Sequence, residues 1–210
     1  MQKRIDREEL AAINCAESEI NLFNYQYFTS LMNNRTIVFN GDITDTIVEK
    51  VYLPLKSFEE DDSCTPVTLI LHSSGGSVSD SFFLANYIEH YKKPLNVVVL
   101  GYAASMATVL LAAGANNPNV TRWCYKESYA LIHDGYIALG ASEAGTAQDI
   151  MTFNQTIDDH IRDFILSHTK ITEDQYTKKG RHQWFIFSEE MKELGLIDKI
   201  YGVDDVNEEK

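Results

Sequence analysis

The sequence has 210 residues, of which 31 are acidic and 18 basic, so the formal net charge is −13. This length fits one domain with a substantial core, and an acidic chain without a Lys/Arg cluster argues against nucleic-acid binding. No stretch approaches the roughly 20 apolar residues of a transmembrane helix. The first 20 residues also lack the apolar run of a signal peptide. We therefore expect no nucleic-acid partner, no membrane partner and no export.

Cysteine content indicates the compartment. The three cysteines, Cys15, Cys64 and Cys124, show no CxxC or Cys/His spacing of a metal site. An odd number in a chain without an export signal indicates reduced thiols, and hence a cytoplasmic protein. Composition divides the chain into an acidic extension at residues 1–24, one domain at residues 25–202, and an acidic tail at residues 203–210 that we predict to be disordered.

Strand and helix patterns alternate along the first two thirds of the domain. Apolar and β-branched runs ending in Gly or Ser clusters predict strands, and three- and four-residue apolar periodicity predicts helices. The pattern predicts strands at 36–43, 67–74, 96–102 and 129–134, and helices at 46–58 (interrupted by Pro54), 79–93 (stopped by Pro94) and from near Ser105 to Gly114. Such alternation predicts an α/β fold with a mostly parallel sheet. In such folds catalytic groups gather at the carboxyl ends of the strands.

The last third begins with a long amphipathic pattern. Apolar residues recur at helical spacing from Ala144 to His168, which predicts one helix long enough to project from a domain of this size. After it we expect a strand at 185–187, a helix with Ser188 as N-cap and Gly195 at its end, and a last strand at 196–202.

A lone serine, Ser105, lies between an apolar strand and a helix. Its neighbours Ala103 and Ala107 are small, which permits the sharp turn of a nucleophile elbow, although the G-x-S-x-G motif is absent. His133 ends the strand at 129–134, where it is a candidate general base. Taken alone, a helix-capping serine and a structural histidine remain open alternatives.

The run SSGGSV at residues 73–78 follows another strand. Gly75 and Gly76 allow backbone amides to face an oxyanion, although a plain turn is the alternative. The serine, the histidine and the glycines thus fall at the ends of three successive strand units. This coincidence favours an acyl-transfer site.

Four segments carry a family resemblance: HSSGGSVSDSFFLANYI, GYAASMATVLLAAGA, YALIHDG and SEEMKELGLIDKI. In order and spacing they resemble the caseinolytic protease proteolytic subunit family (ClpP, serine peptidase family S14), of which the chain looks like a divergent member. The resemblance implies a crotonase-like ClpP fold of stacked ββα units, with the long helix as a projecting handle. It also implies a tetradecamer of two stacked heptameric rings, and an AAA+ unfoldase as a further partner.

The resemblance also assigns roles within the site. It implies a serine endopeptidase that cleaves peptides and unfolded proteins inside the chamber, with no cofactor and no ATP needed for hydrolysis. Ser105 matches the nucleophile and His133 the general base. The backbone amides of Gly76 and Met106 match the oxyanion hole.

The third member of the triad departs from the family pattern. Ungapped counting places Lys179 at the position of the family's aspartate, and a cation cannot stabilise an imidazolium. Asp174 is the first candidate substitute and Asp134 the second. A local shift of the alignment, with Lys179 an ordinary solvated lysine, is the alternative, and His182 is read as a surface or core residue.

Two further departures are smaller. The sequence HDG replaces the family's usual His-Gln-Pro after the strand, and the N-terminal extension does not resemble the segment that forms the axial pore loops.

Two other functions stay open. A structural or regulatory ring subunit without activity would fit Lys179, and a gain of rate in Lys179→Asp would then identify the missing acid as the defect. Acyl-coenzyme A chemistry on the same fold is weaker, because it does not require paired Ser and His and no basic patch for the nucleotide phosphates is evident.

Overall fold

The architecture below is that of a computed structural model, which describes residues 29–133, 144–180 and 182–204. By its internal contacts the chain divides into two units, Met1–Asn34 and Arg35–Lys210. Residues 29–33 form a helical turn in the first unit. All elements named below belong to the second unit. The predicted extension at 1–24 and most of the predicted tail lie outside the described residues.

The described residues form one seven-stranded sheet. Strands β1, β2, β3, β4 and β7 are hydrogen-bonded in that order and run parallel, whereas β5 pairs in parallel with the carboxyl half of β3, and β6 runs antiparallel to β5. The strands are β1 (Thr36–Asn40), β2 (Val67–Ser73), β3 (Leu95–Ala104), β4 (Val120–Tyr125), β5 (Tyr129–Ile132), β6 (Trp184–Phe187) and β7 (Lys199–Tyr201).

Helices connect these strands. They are α1 (Leu53–Glu60), α2 (Val78–Glu89), α3 (Met106–Ala113), α4 (Ala144–His168), α5 (Glu173–Gln175) and α6 (Ser188–Glu193). A π-helical turn, Val48–Tyr52, leads directly into α1, and a second one, Tyr176–Gly180, follows α5. Every residue of α3 is buried, and β3 contributes Val97, Val98 and Val99 to the same core. This apolar packing fixes the junction between β3 and α3.

Strand β3 changes partner in its middle. Val99 pairs with Cys124 of β4, whereas Tyr102 pairs with Tyr129 of β5. Between them Gly101 has a φ of 95°, and its N–H donates to the Ser128 hydroxyl at 3.2 Å. The irregularity lets one strand support two branches of the sheet. Its second branch carries β5 and β6.

The predicted α/β fold with a mostly parallel sheet is confirmed, and so is the long helix from Ala144 to His168. Strand β4 was not predicted, because Thr121 and Arg122 interrupt its apolar run. The N-cap prediction for Ser188 is wrong: the cap position is Phe187, and the Ser188 hydroxyl donates to the Lys126 carbonyl at 2.7 Å.

Two other boundary predictions also need correction. Pro94 does not set the end of α2, since the helix finishes at Glu89. Pro54 does not interrupt the helical pattern, because the π-helical turn Val48–Tyr52 continues directly into α1, in which Pro54 is the second residue. In the described ranges, no helix combines the length and the apolar character that spanning a bilayer demands.

Candidate active site

Ser105 occupies a strained turn between β3 and α3. Its backbone has φ 55° and ψ −127°, in a region that residues other than glycine rarely adopt. A capping serine would accept a hydrogen bond from an amide of the helix, and Ser105 makes no such bond. Ser105 thus occupies the N-cap position of α3, but its side chain does not cap the helix. The strained strand-to-helix turn has the backbone geometry of a nucleophile elbow, and Ser105 is half-buried.

Hydrogen bonds to β5 hold this turn. The Ser105 N–H donates to the Leu131 carbonyl at 2.8 Å, and the Thr108 N–H donates to the Ser105 carbonyl at 2.9 Å. The buried Thr108 hydroxyl lies 3.1 Å from the carbonyl oxygens of both Ala103 and Leu131. Sequence analysis missed Thr108. Its signal is a lone hydroxyl in the otherwise apolar helix MATVLLAA.

His133 directly follows the last residue of β5. The register pairs Tyr102 with Tyr129 and Ala104 with Leu131. Because the carboxyl ends of parallel strands meet at one edge of a sheet, Ser105 and His133 lie at the same edge. His133 is half-buried there. The structure thus brings the two predicted catalytic side chains to neighbouring strand ends.

The two glycines after β2 pack against the same turn. Gly75 has a φ of 94°, and a Cβ added to it would lie 2.7 Å from the Ser105 Cβ and 2.8 Å from the Met106 nitrogen. Only glycine permits this approach of two backbones. The glycine run therefore borders the start of α3, where the first helical amides have no intrahelical partner.

The amide of Gly76 has a defined direction. Ile43 forms a parallel bridge with Gly76: its N–H donates to the Gly75 carbonyl at 2.7 Å, and its carbonyl accepts from Ser77 at 2.9 Å. In such a bridge the N–H of the central residue faces away from the partner. The Gly76 amide consequently points away from Ile43, towards the side of the sheet on which β3 lies.

Lys179 lies at the second π-helical turn. Its ammonium is 3.3 Å from a Glu190 carboxylate oxygen and 4.6 Å from the centre of the Trp184 ring. Trp184 is buried on the inner face of β6. Lys179 is thus engaged by an acidic and an aromatic side chain, and its correspondence to the family's aspartate position stays a prediction.

Of the two candidate substitutes for the third member, only Asp174 belongs to the described residues. Asp174 is 69% exposed and pairs with Lys178 at 2.8 Å, one helical turn further along. Asp134 falls outside the described residues. His182 is exposed, and its backbone N–H donates to the Lys179 carbonyl at 3.1 Å.

The pairing of β5 with β6 makes a further residue a candidate neighbour of His133. Strands β5 and β6 pair Tyr129 with Phe187 and Ile132 with Trp184. Extending this antiparallel register by one step, past the ends of both strands, would set His133 opposite Gln183. Sequence analysis missed Gln183, because this position depends on pairing between segments 50 residues apart in the chain.

Comparison with known proteins matches the sequence to a family. The Clp protease family model matches residues 19–204. The ATP-dependent Clp protease proteolytic subunit of Cyanophora paradoxa is 31% identical over 175 residues, which cover 82% of this chain and 87% of that protein. The chain therefore belongs to the Clp protease family of serine-type peptidases.

Proposed function

We propose that this chain is an endopeptidase subunit in which Ser105 is the nucleophile and His133 the general base. The observation that carries the proposal is the strained Ser105 turn, bonded to β5 two residues before His133. Ser105 Oγ bonds to the substrate carbonyl carbon while its proton passes to His133. The imidazolium then returns that proton to the leaving amine as the C–N bond breaks. Water hydrolyses the resulting ester by the same route.

The oxyanion of each tetrahedral intermediate needs fixed donors. We assign them to the backbone amides of Gly76 and Met106. Support comes from the direction of the Gly76 amide and from the close packing of Gly75 against Met106. The positive end of the α3 dipole, which begins at Met106, adds to this stabilisation. Peptides and unfolded chains are the substrates of this proposal.

The first test is hydrolysis of fluorogenic peptides by the wild-type chain and by Ser105→Ala. We expect the variant to lose at least about 1,000-fold in kcat, because the nucleophile is gone. Retained hydrolysis in a Ser105→Ala preparation free of contaminating peptidases would refute the assignment. His133→Ala is expected to show a loss of similar size, since the two residues act as a unit.

A subunit that assembles without cleaving is the second candidate. The candidate is motivated by Lys179, which ungapped counting places at the family's aspartate position, and by Asp174, whose exposed carboxylate pairs with Lys178. It predicts no hydrolysis by an intact assembly. Family membership favours peptide hydrolysis over acyl-coenzyme A chemistry.

Members of the Clp protease family form oligomeric proteolytic assemblies, and we propose two stacked heptameric rings for this chain. Support comes from apolar side chains that the isolated chain leaves exposed on α4: Ile150, Met151 and Phe153. Exposed apolar patches of this kind mark protein interfaces. An adjoining handle helix of a second copy is the occupant that we propose.

The relative from Cyanophora is named as ATP-dependent. The sequence of our chain contains no G-x-x-x-x-G-K-[ST] motif. We propose that peptide hydrolysis needs no ATP, and that a separate AAA+ unfoldase supplies ATP-dependent delivery of folded substrates.

We also propose a cytoplasmic location. Support comes from Cys64 and Cys124, both free thiols in the described residues. Burial raises the pKa of Cys124 to about 12, so its thiol packs as an inert apolar group.

A further inference from the structure

The β5–β6 pair, which ends next to His133, has two different faces. Burial alternates along both strands: Ala130, Ile132, Trp184 and Ile186 are buried, whereas the residues between them are more exposed. Since side chains alternate between the faces of a strand, the outer face holds Tyr129, Leu131, Phe185 and Phe187.

Ring contacts confirm which residues share this outer face. The Tyr129 ring centre lies 5.9 Å from the ring centres of both Phe185 and Phe187. Continuing the alternation by one residue on each strand places His133 and Gln183 on the same face. The register sets them opposite each other, and side chains in that relation have Cβ atoms about 4.5–5.5 Å apart.

A general base needs a partner at its second ring nitrogen. When one imidazole nitrogen accepts the serine proton, the other carries a hydrogen, and an acceptor there fixes the tautomer and the ring orientation. A glutamine amide offers a carbonyl oxygen as acceptor, and it is long enough to cross the gap between opposite positions. Unlike a carboxylate it carries no charge, so it orients the ring but stabilises the imidazolium less.

We propose that Gln183 is the positioning residue of His133, so that the site works as a Ser-His-Gln arrangement. This inference rests on the proposed function. Lys179 does not compete for the role, because its ammonium lies against Trp184, whose ring belongs to the inner face of the β5–β6 pair. A carboxylate at position 183, and not at position 179, is therefore the change that we expect to strengthen the positioning of His133.

Four variants of the full chain test this proposal: Gln183→Leu, Gln183→Asn, Gln183→Asp and Lys179→Asp. Each is assayed for kcat and KM with a fluorogenic peptide, for the rate of Ser105 labelling by a fluorophosphonate, and for its melting temperature. Gln183 is exposed, so these replacements are expected to preserve the fold. Gln183→Asn keeps the amide but withdraws its oxygen, and it decides the question if the leucine variant misfolds.

We expect Gln183→Leu and Gln183→Asn to lower kcat about tenfold or more with KM changed less than about twofold, because orientation of the base matters in the transition state. Gln183→Asp is expected to raise kcat and the labelling rate above those of the wild-type chain. Lys179→Asp is the matched control, which adds the same carboxylate on the other face and is expected to give no gain. A purely structural role for Gln183 predicts no gain from Gln183→Asp.

Failure of this proposal is distinguishable from failure of the proposed function. Wild-type kcat and labelling in both Gln183→Leu and Gln183→Asn would overturn the role of Gln183 while leaving Ser105 as the nucleophile. A gain in Lys179→Asp without one in Gln183→Asp would overturn the register argument. Labelling only in Gln183→Asp would overturn the claim that an amide suffices. Absence of Ser105 labelling in every folded variant would refute the proposed function itself, and this inference with it.

Discussion

At the residue scale, the conformation of Ser105 depends on the glycine that faces it. A serine with φ 55° is costly on its own, so its surroundings must impose the turn. Gly75 does this by packing its backbone against Ser105 and Met106 at distances that no Cβ could occupy.

The corresponding prediction concerns Gly75→Ala. The added methyl group would lie 2.7 Å from the Ala104 carbonyl oxygen and from the Ser105 Cβ, and the backbone would retain an unfavourable φ of 94°. We expect kcat/KM to fall at least about tenfold, since a displacement of about 1 Å is enough for such a loss. The control is Gly202→Ala, which has a comparable φ of 80° but open space around the new methyl group. Equal losses of kcat/KM in both variants would show that backbone strain alone, and not the packing of Gly75, is responsible.

At the element scale, a buried arginine ties β4 to the segment before β7. Arg122 is 5% exposed, and its guanidinium donates to both carboxylate oxygens of Asp198, at 2.6 and 3.1 Å, and to the Gly195 carbonyl at 2.7 Å. Planar bidentate pairing of this kind is among the stronger ion-pair geometries. We call this set of contacts the Arg122–Asp198 clasp. It holds β4, which lies beside β3 on the side opposite to β2.

The pairing of Arg122 with Asp198 predicts that removing the carboxylate charge lowers the stability of the fold. Asp198→Asn leaves the buried guanidinium without a counter-charge, so we expect the free energy of unfolding to fall by about 1–3 kcal/mol. Urea unfolding of the assembly-competent chain measures it. The control Glu60→Gln removes an exposed ion pair with Lys56 and is expected to cost under about 0.5 kcal/mol. Equal urea concentrations at the midpoint of unfolding for Asp198→Asn and the wild-type chain would contradict a stabilising role for the Arg122–Asp198 clasp.

Local patterns predicted much of the fold but not these long-range contacts. Continuous apolar runs identified β2, β3 and α3, and helical spacing gave the bounds of α4, because burial dictates residue type at those positions. Strand β4 was missed since Arg122 reads as a loop residue until Asp198, 76 positions later, is known to pair with it. The candidate site shows the same contrast. Local sequence patterns identify Ser105, His133 and the glycines, whereas the proposed role of Gln183 depends on the antiparallel register of β5 and β6 alone.

At the scale of the whole molecule, α4 connects the fold to its proposed assembly. Most described residues in its amino-terminal half are exposed, and Phe153 is 63% exposed in the isolated chain. Burying an exposed aromatic side chain against a partner surface is favourable, because it removes apolar area from water.

We predict that Phe153→Asp dissociates the rings from each other or prevents their formation. A buried carboxylate at this position would be unpaired and costly. Light scattering coupled to size-exclusion chromatography is expected to show a smaller particle than the wild type, with an unchanged far-ultraviolet circular dichroism spectrum. Gln155→Asp, an equally charged change at an exposed position on the other side of the helix, is the control. An unaltered particle mass in Phe153→Asp would contradict the proposed handle interface.

The measurement that tests the central claim most directly is fluorophosphonate labelling of the purified assembly, with the adduct located by peptide mass spectrometry. The reagent modifies a serine only when a base activates its hydroxyl. We predict an adduct on Ser105 in the wild-type chain and none in Ser105→Ala or His133→Ala. A well-formed oligomer that carries no adduct on Ser105 would contradict the account and would identify the chain as an assembly subunit without a working nucleophile.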